Sequence, residues 1–234
     1  MSNSFGQETS SSQKNIGFFT ENEPYMRAQE RFELYQLMRL AVEREIAGAQ
    51  RMLDVGNGGF FNYSTESIPE VVACDLMLEN NQIGPNIVFK QGSILELPFD
   101  DNRFDCVLVQ STLHHVVGDS VHQNLANLNR AICECARVIS PGGKLVVVES
   151  TIPAWFLYLV EYPLYSALVH VWPFSHPLTF QFTRQLVASE IEKASLRIIE
   201  YSLIPRGNWA IHFGLVLPTL ITPIQVVKIV AEKQ

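Results

Sequence analysis

Basic residues are scarce in this sequence, and their scarcity excludes one class of partners. The 234 residues include 17 lysines and arginines against 24 acidic residues, which gives a net charge of −7. A protein that binds a nucleic-acid backbone needs a strongly basic surface to neutralise the phosphates. We therefore expect no nucleic acid among the partners of this protein.

Cysteine is also scarce, and the four cysteines do not suggest a metal site. On a helix, Cys133 and Cys135 would point about 200° apart, which does not suit a shared metal ion. Carboxylates and histidines show no ligand spacing either, so the sequence predicts no metal. We interpret Cys74, Cys106, Cys133 and Cys135 as buried free thiols in a reducing cytoplasm.

No apolar run is long enough for a membrane-spanning helix, although residues 152–182 come close. This segment contains nine aromatic residues and a single charged one, Glu161, but four prolines interrupt it. A bilayer-spanning helix needs about 20 apolar residues without such breaks. Three interpretations stay open. The segment could fill core and lid space, line a pocket for a bulky apolar substrate, or rest on a membrane surface.

The chain divides into a polar tail and one domain. Residues 1–22 are rich in serine and lack the charged start and apolar run of a secretion signal, so we expect a disordered tail and a cytoplasmic protein. Because 47% of the chain is hydrophobic, residues 23–234 can form one domain with one core. Residues 152–182 would be a lid or substrate insertion in that domain.

The most informative motif is a short apolar strand that ends in a glycine turn. Residues 51–60 read Arg-Met-Leu-Asp-Val-Gly-Asn-Gly-Gly-Phe, with an acid, Asp54, near the strand's end. Glycines allow backbone angles closed to other residues and let a ligand approach the main chain. A second acid, Asp75, ends the next apolar run, where a carboxylate can accept hydrogen bonds from a ribose diol. This pattern indicates a nucleotide-type cofactor site.

The turn departs from the dinucleotide fingerprint, because Phe61 stands where the third glycine would be. What remains, Asp-x-Gly-x-Gly-Gly, resembles the first motif of class I S-adenosylmethionine-dependent methyltransferases. The resemblance continues through Leu97-Pro98-Phe99 and Pro141-Gly142-Gly143, as in the branch with the quinone-biosynthesis C-methyltransferases. It implies a Rossmann-like α/β fold, in which helices flank a mostly parallel sheet of seven strands.

Apolar periodicity adds the elements outside these motifs. It predicts helices over 24–47, 121–139 and 186–194, and a buried fifth strand over 145–149. A sixth strand is expected over 197–203 and a seventh over 209–216. The segment 222–232 is rich in Ile and Val and fits either a further strand or a short helix.

The resemblance implies a set of cofactor contacts for S-adenosylmethionine. Asp54 would order the glycine turn and approach the methionine ammonium through water, while Gly56 and Gly58 give clearance. Asp75 would hold the ribose hydroxyls. The remaining expected contacts are Leu76 or Met77 and Ile94 on the adenine, Ser93 at its amino group, and Gln110 near the methionine end. Ser93 replaces an acidic residue of the family, and a neutral acceptor is weaker than a charged one.

Two histidines are the candidates for catalysis. His114 and His115 follow the fourth predicted strand, at the sheet edge where the reactive methyl group should project. Methyl transfer is an in-line displacement, so a base is needed only if the acceptor atom must lose a proton. Either histidine could be such a base or orient the substrate, and for each a packing or capping role is the alternative.

Three functions compete on this evidence. The leading hypothesis is methyl transfer from S-adenosylmethionine to an apolar small molecule, such as a polyketide, terpenoid, quinone or lipid-like metabolite, on oxygen or carbon. The second is a protein that retains the sulfonium without transferring its methyl group and catalyses a cyclisation. The third is a non-enzymatic partner protein, whose expected mark is loss of the ribose acid or the glycines; neither is lost here. The oligomeric state is open.

Overall fold

The computed structural model describes residues 32–58, 61–76, 84–172, 178–212 and 215–234. Its nine strands are β1 (Arg51–Val55), β2 (Glu70–Asp75), β3 (Ile87–Gln91), β4 (Phe104–Gln110), β5 (Ile139–Thr151), β6 (Leu196–Leu203), β7 (Trp209–His212), β8 (Leu215–Pro218) and β9 (Gln225–Lys233). Seven of them form one sheet in the order β3-β2-β1-β4-β5-β9-β6. The expected disordered tail, residues 1–22, lies outside the described residues.

The sheet is mostly parallel, which confirms the fold class expected from the sequence. Strands β1 to β5 pair in parallel, whereas β9 is antiparallel to both β5 and β6. The open choice for residues 222–232 is thereby decided in favour of a strand. Six consecutive residues of β9, from 226 to 231, are buried, as an interior strand covered on both faces requires.

The prediction of a seventh sheet strand over residues 209–216 was wrong. Strands β7 and β8 divide this segment and form a separate antiparallel pair outside the main sheet. Trp209 and Val216 are both about half exposed, with 47% and 48% of their surface accessible. A segment with such exposed apolar side chains lacks the burial of a central strand, and β9 occupies the place between β5 and β6 instead.

Among the described residues, the helices are α1 (Glu33–Ile46), α2 (Val121–Val138), α3 (Ala154–Phe156), α4 (Tyr162–Leu168) and α5 (Arg184–Lys193). A 3-10 turn spans Leu113–His115, and a π-helical turn, Leu157–Glu161, joins α3 to α4. We call the continuous helical stretch 154–168 the cover helix. Of the helix expected over 24–47, residues 24–31 lie outside the described part of the chain.

Alternate residues of the strands face two separate cores. Helix α1 packs on one face of the sheet, against side chains that include Met52, Leu108 and Val146. Helices α2 and α5 cover the other face, against a set that includes Val107 and Val147. Both faces are therefore buried, which explains why the central strands consist almost entirely of apolar residues.

Helix α2 also holds the Leu97-Pro98-Phe99 turn that leads into β4. The guanidinium of Arg137 donates hydrogen bonds to the carbonyl oxygens of Phe99, at 2.7 Å, and Leu97, at 2.9 Å. Glu134 and Asp101 pair with the same guanidinium, and these hydrogen bonds raise the pKa of Arg137 still further. The turn motif thus depends on a basic residue that lies far along the sequence.

Three of the four cysteines behave as expected. Cys74, Cys106 and Cys135 are buried free thiols, and burial raises the pKa of Cys74 and Cys106 to about 12. Cys133 is exposed, so its prediction as a buried thiol was wrong. Cys133 and Cys135 lie on different sides of α2, and only the side of Cys135 faces the sheet.

The order of the strands reverses between β1 and β4. Strand β1 pairs with β2 on one side and with β4 on the other, so the chain leaves β1 and β4 in opposite directions. In open α/β sheets, ligands bind at the carboxyl ends of the strands where the order reverses in this way. The carboxyl ends of β1, β2, β4 and β5 are therefore the place to look for a site.

A buried cation joins α1 to the antiparallel end of the sheet. Only 3% of the Lys228 side chain is exposed, and its Nζ lies 2.5 Å from Glu45 and 2.7 Å from Glu200. Lys228→Ala should destabilise the protein by roughly 3–5 kcal/mol, because it leaves the buried Glu45 carboxylate without its counter-charge. Urea unfolding measures this loss.

Lys193→Ala is the matched control. Lys193 pairs with Glu190 on the surface, with 61% of the lysine side chain exposed. Its replacement by alanine should lower the free energy of unfolding by no more than about 1 kcal/mol. Equal losses for the two variants would contradict a special role of the buried lysine.

Candidate functional site

The glycine turn after β1 is shaped by a close approach that excludes larger residues. Gly56 has a φ of +77°, in the left-handed region, and its N–H donates to the Cys74 carbonyl at 2.8 Å. A Cβ at this position would lie only 2.2 Å from Cγ2 of Thr112. Both the backbone conformation and the neighbouring side chain therefore require glycine here.

Thr112 joins the ends of β1 and β4. Its hydroxyl lies 2.9 Å from the carbonyl of Gln110 and 3.2 Å from those of Val55 and Gly56. The preceding residue, Ser111, has a φ of +51°, which is unusual for a residue with a side chain. Such conformations cluster at functional sites. Gln110, a candidate cofactor residue, is half-buried directly before this bend.

Asp54 is buried inside the turn, where it binds groups of the protein itself. Its Oδ2 accepts hydrogen bonds from the Asn57 amide, at 2.7 Å, and from the Tyr63 hydroxyl. Burial raises the pKa of Asp54 to about 7, although these two hydrogen bonds favour the charged form. The Asn57 contact is the kind that orders the turn, and the Tyr63 contact ties it to the segment before β2.

Asp75 lies at the same edge of the sheet as the glycine turn. It is half-buried at the end of β2, and its Oδ2 accepts a hydrogen bond from Gly58 N–H at 2.9 Å. Gly58 has a φ of +61°. The next residue, Leu76, is half-buried, and its carbonyl accepts a hydrogen bond from the Gln91 amide. The structure thus brings Gly56, Gly58, Asp75 and Leu76 together; Met77 lies outside the described residues.

Ser93 and Ile94 stand on the adjoining loop after β3. The half-buried Ser93 accepts a hydrogen bond from Leu95 N–H at 3.1 Å, and Ile94 is 8% exposed. Gly92 N–H donates to the Asp75 carbonyl at 3.0 Å, which fixes the loop beside the end of β2. An apolar wall, a hydroxyl and the carboxylate of Asp75 are thereby grouped at one edge.

His114 belongs to a buried polar cluster at the ends of β4 and β5. Its Nδ1 lies 2.6 Å from Oε1 of Glu149, whose side chain is fully buried at the end of β5. The other carboxylate oxygen of Glu149 accepts Leu113 N–H at 2.7 Å. This bonding holds the imidazole in one orientation and directs its Nε2 away from Glu149.

His115 is half-buried beside His114, and the two ring centroids are 4.1 Å apart. Its backbone N–H donates to the Thr112 carbonyl within the 3-10 turn. The structure therefore brings both candidate histidines to the edge that carries the glycine turn, and it distinguishes them, because His114 has the carboxylate that typically orients a functional imidazole.

The cover helix contributes one further acid to this cluster. Glu161 is 1% exposed, and its Oε1 accepts Gln181 N–H at 2.8 Å. Burial raises the pKa of Glu161 to about 7, against the opposing effects of Gln181 and His114. Gln181 also contacts Ser150, next to Glu149, so the strand end and the segment under the cover helix are linked.

Five residues of this edge were not predicted from the sequence: Tyr63, Thr112, Glu149, Glu161 and Gln181. Glu161 was noticed only as the single charge in an aromatic segment, which was the available signal for a buried functional acid. No pattern in the chain marks the others, because their roles arise from contacts between distant segments. Within the described ranges, no group of three or more ligating side chains could hold a metal ion.

The residues at this edge fit S-adenosylmethionine by their chemistry. A half-buried carboxylate at the end of β2, bound to the N–H of the glycine turn, suits a ribose diol. No helix in the described part of the chain is long and apolar enough to cross a membrane.

Comparison with known sequences agrees with this site. Residues 53–147 match the family described as a methyltransferase domain. The ubiquinone/menaquinone biosynthesis C-methyltransferase UbiE of Hahella chejuensis is 28% identical over 166 residues, which cover 63% of each protein. The demethylmenaquinone methyltransferase of Renibacterium salmoninarum is 34% identical over 122 residues, which cover 50% of this chain and 48% of that protein. The chain thus spans less than two thirds of either relative.

Solved structures share the fold at low sequence identity. The [4+2]-cyclase SpnF is 13% identical with a TM-score of 0.61, covering 96% of both chains. Geranyl diphosphate methyltransferase, solved in complex with S-adenosylmethionine, is 13% identical with a TM-score of 0.58, covering 90% of this chain and 89% of the other. In its matched segment and in its fold, the chain is thus similar to the class I S-adenosylmethionine-dependent methyltransferases, among them the quinone-biosynthesis C-methyltransferases.

Proposed function

We propose that this protein binds S-adenosylmethionine and transfers its methyl group to an apolar small molecule of the quinone type. The observation that carries the proposal is the carboxylate of Asp75 on the Gly56–Gly58 turn, at the edge where the strand order reverses. The nature of the acceptor is inferred from the two relatives, which are named for quinone biosynthesis. The buried free thiols suit the reducing cytoplasm that we propose as its compartment.

Each cofactor residue has a proposed task. Asp75 accepts hydrogen bonds from the ribose hydroxyls, and Leu76 and Ile94 pack against the adenine. Ser93 accepts a hydrogen bond from the adenine amino group, and Gln110 faces the methionine end of the cofactor. Asp54 keeps the glycine turn in place through Asn57 rather than by direct contact with the ligand, because its carboxylate is buried.

The bound cofactor would supply an electrophilic methyl group on a sulfonium. The chain then has to place the acceptor atom in line with that methyl group and exclude water, because positioning contributes most of the rate of such a displacement. The cover helix and residues 178–182 supply an apolar roof over the carboxyl edge: Tyr165, Phe180 and Phe182 are each no more than 2% exposed. His114 and His115 are the proposed groups that touch the acceptor.

The direct test combines binding with product analysis. The purified protein should bind S-adenosylhomocysteine in calorimetry, and with S-adenosylmethionine it should convert a short-chain demethylmenaquinol to a product heavier by one methylene group. Binding without release of S-adenosylhomocysteine in the presence of acceptors would favour the non-methylating cyclisation hypothesis. A folded sample that binds neither form of the cofactor would contradict the proposal and favour the partner-protein hypothesis.

Asp75→Ala tests the ribose contact. The variant should lose roughly 1.5–3 kcal/mol of affinity for S-adenosylhomocysteine, because a charge-assisted hydrogen bond is removed. Calorimetric titration measures this loss. Asp100→Ala, which removes an exposed acid from the loop before β4, is the control and should bind as the wild type does. Unchanged affinity of the Asp75 variant would refute the ribose assignment.

We further propose that the outer face of the cover helix rests on a lipid surface. Trp155, Tyr158, Leu159 and Tyr162 recur at helical spacing and are exposed by 60%, 65%, 73% and 46%. The one acid of this helix is buried, so its outer face carries no charge. Trp and Tyr prefer membrane interfaces, and an acceptor of the quinone type would dissolve in the bilayer.

Vesicle sedimentation tests this contact. The wild type should sediment with phosphatidylcholine vesicles, and Leu159→Ser should reduce the bound fraction severalfold, because burying a leucine contributes about 1.5–3 kcal/mol. Leu220→Ser is the matched control, since Leu220 is 93% exposed outside the cover helix. Equal sedimentation of all three proteins, or none, would contradict the lipid contact.

A further inference from the structure

The cover helix has an irregular turn where its single acid is buried. The π-helical turn Leu157–Glu161 interrupts an otherwise α-helical stretch, and Glu161 is its last residue. Insertions of this kind inside helices occur frequently at functional sites. The turn places Glu161 on the inner side of the helix, while Tyr158 and Leu159 of the same turn stay exposed.

Only one of the two carboxyl oxygens of Glu161 accepts a hydrogen bond from the described residues. Oε1 accepts a hydrogen bond from Gln181 N–H, but Oε2 is buried and has no hydrogen-bond partner among the described residues. A buried polar atom without a partner costs free energy and calls for an explanation, such as a ligand that supplies the missing bond. Glu161 therefore carries an unused acceptor position under the roof of the proposed site.

His114 connects this acid to the edge of the sheet. It is close enough to Glu161 to lower the pKa of that carboxyl, and its Nδ1 is held by Glu149 on the other side. Phe180 N–H donates to the His114 carbonyl, and Gln181, the next residue, binds Glu161. One short segment thus fixes the histidine and the acid relative to each other.

We propose that Glu161 is the proton acceptor of the acceptor-binding site and that the acceptor carries an ionisable hydroxyl group, as a phenol or hydroquinone does. This inference rests on the proposed methyl transfer and adds to it the residue that takes the proton. Oε2 accepts the hydrogen bond of that hydroxyl, and the imidazole of His114, oriented by Glu149, lies close to the same carboxylate.

The proton balance of the reaction is simple. The acceptor loses one proton, which moves to Oε2 of Glu161. A new bond forms between the acceptor atom and the methyl carbon as the carbon–sulfur bond breaks, and the electron pair of that bond goes to sulfur. The products are the methylated acceptor, the neutral thioether and protonated Glu161, which then releases its proton to solvent.

The groups that face Glu161 set its pH dependence. His114 faces it from the 3-10 turn, Tyr165 from the following turn of the cover helix, and Glu149 of β5 lies behind His114. The segment 178–182 adds no titratable side chain. Because burial raises the pKa of this carboxyl to about 7, its ionisation costs stability as the pH rises from its ordinary value of 4.5 towards 7.

Glu161→Gln separates this role from a structural one, because the amide keeps an oxygen for Gln181 N–H but cannot take a proton. With a short-chain demethylmenaquinol as the probe, kcat should fall at least about tenfold, and the rise of kcat near pH 7 should disappear. Affinity for S-adenosylhomocysteine should not change. The melting temperature of the variant relative to wild type should increase by at least about 3 °C between pH 5 and pH 8, since the cost of ionisation is gone.

Glu190→Gln is the matched control: Glu190 is an acid on α5 that is 8% exposed and pairs with Lys193 and Asn129 at the surface, away from the site. It should keep wild-type turnover and show no such gain in melting temperature. The proposal would be overturned if turnover of Glu161→Gln lay within twofold of wild type, or if its kcat still rose near pH 7.

If wild type binds S-adenosylhomocysteine but methylates nothing, the proposed function fails. The melting temperatures still test Glu161 in that case. A difference between the melting temperatures of Glu161→Gln and wild type that stays constant from pH 5 to pH 8 would overturn the proposal. A difference that widens over this range would support a proton-binding acid at position 161.

Discussion

The junction of β1 and β4 is the constraint on which the site depends. The strand order reverses there, and both strands end where Thr112 closes on Gly56. A side chain at position 56 would collide with that threonine, so the close contact between the two strand ends requires a glycine in the turn after β1. The carboxylate of Asp75 and the pair formed by His114 and Glu149 all lie around this junction.

Two buried acids at this edge lower the stability of the folded protein. Burial raises the pKa of both Asp54 and Glu161 to about 7, although each acid accepts hydrogen bonds. A fold optimised only for stability would replace such groups by apolar residues, whereas sites that handle protons and charged ligands retain them. The two acids differ in kind, since Asp54 is bound by Asn57 and Tyr63, whereas Glu161 keeps one oxygen without a partner in the described structure.

The sequence predicted the local elements well and the long-range contacts poorly. Glycine spacing, the acid at Asp75 and the apolar runs identified β1 and β2, because these features depend on neighbours in the chain, whereas the mostly parallel sheet was implied by the family resemblance. The place of β9 and the separation of β7 from the sheet could not be predicted, since the choice depends on which apolar strand best fills the centre. Glu149 and Glu161 were missed for the same reason: only the folded chain brings them to His114.

A crystal structure of the protein with S-adenosylhomocysteine would show directly whether the carboxyl edge of the sheet is the methyl-transfer site. In that structure, the ribose hydroxyls should lie on the Asp75 carboxylate and the homocysteine part over the Gly56–Gly58 turn, with the sulfur directed towards His114 and the unpaired oxygen of Glu161. A ligand bound elsewhere, or one whose sulfur points away from the cover helix, would contradict the assignment of this edge as the methyl-transfer site.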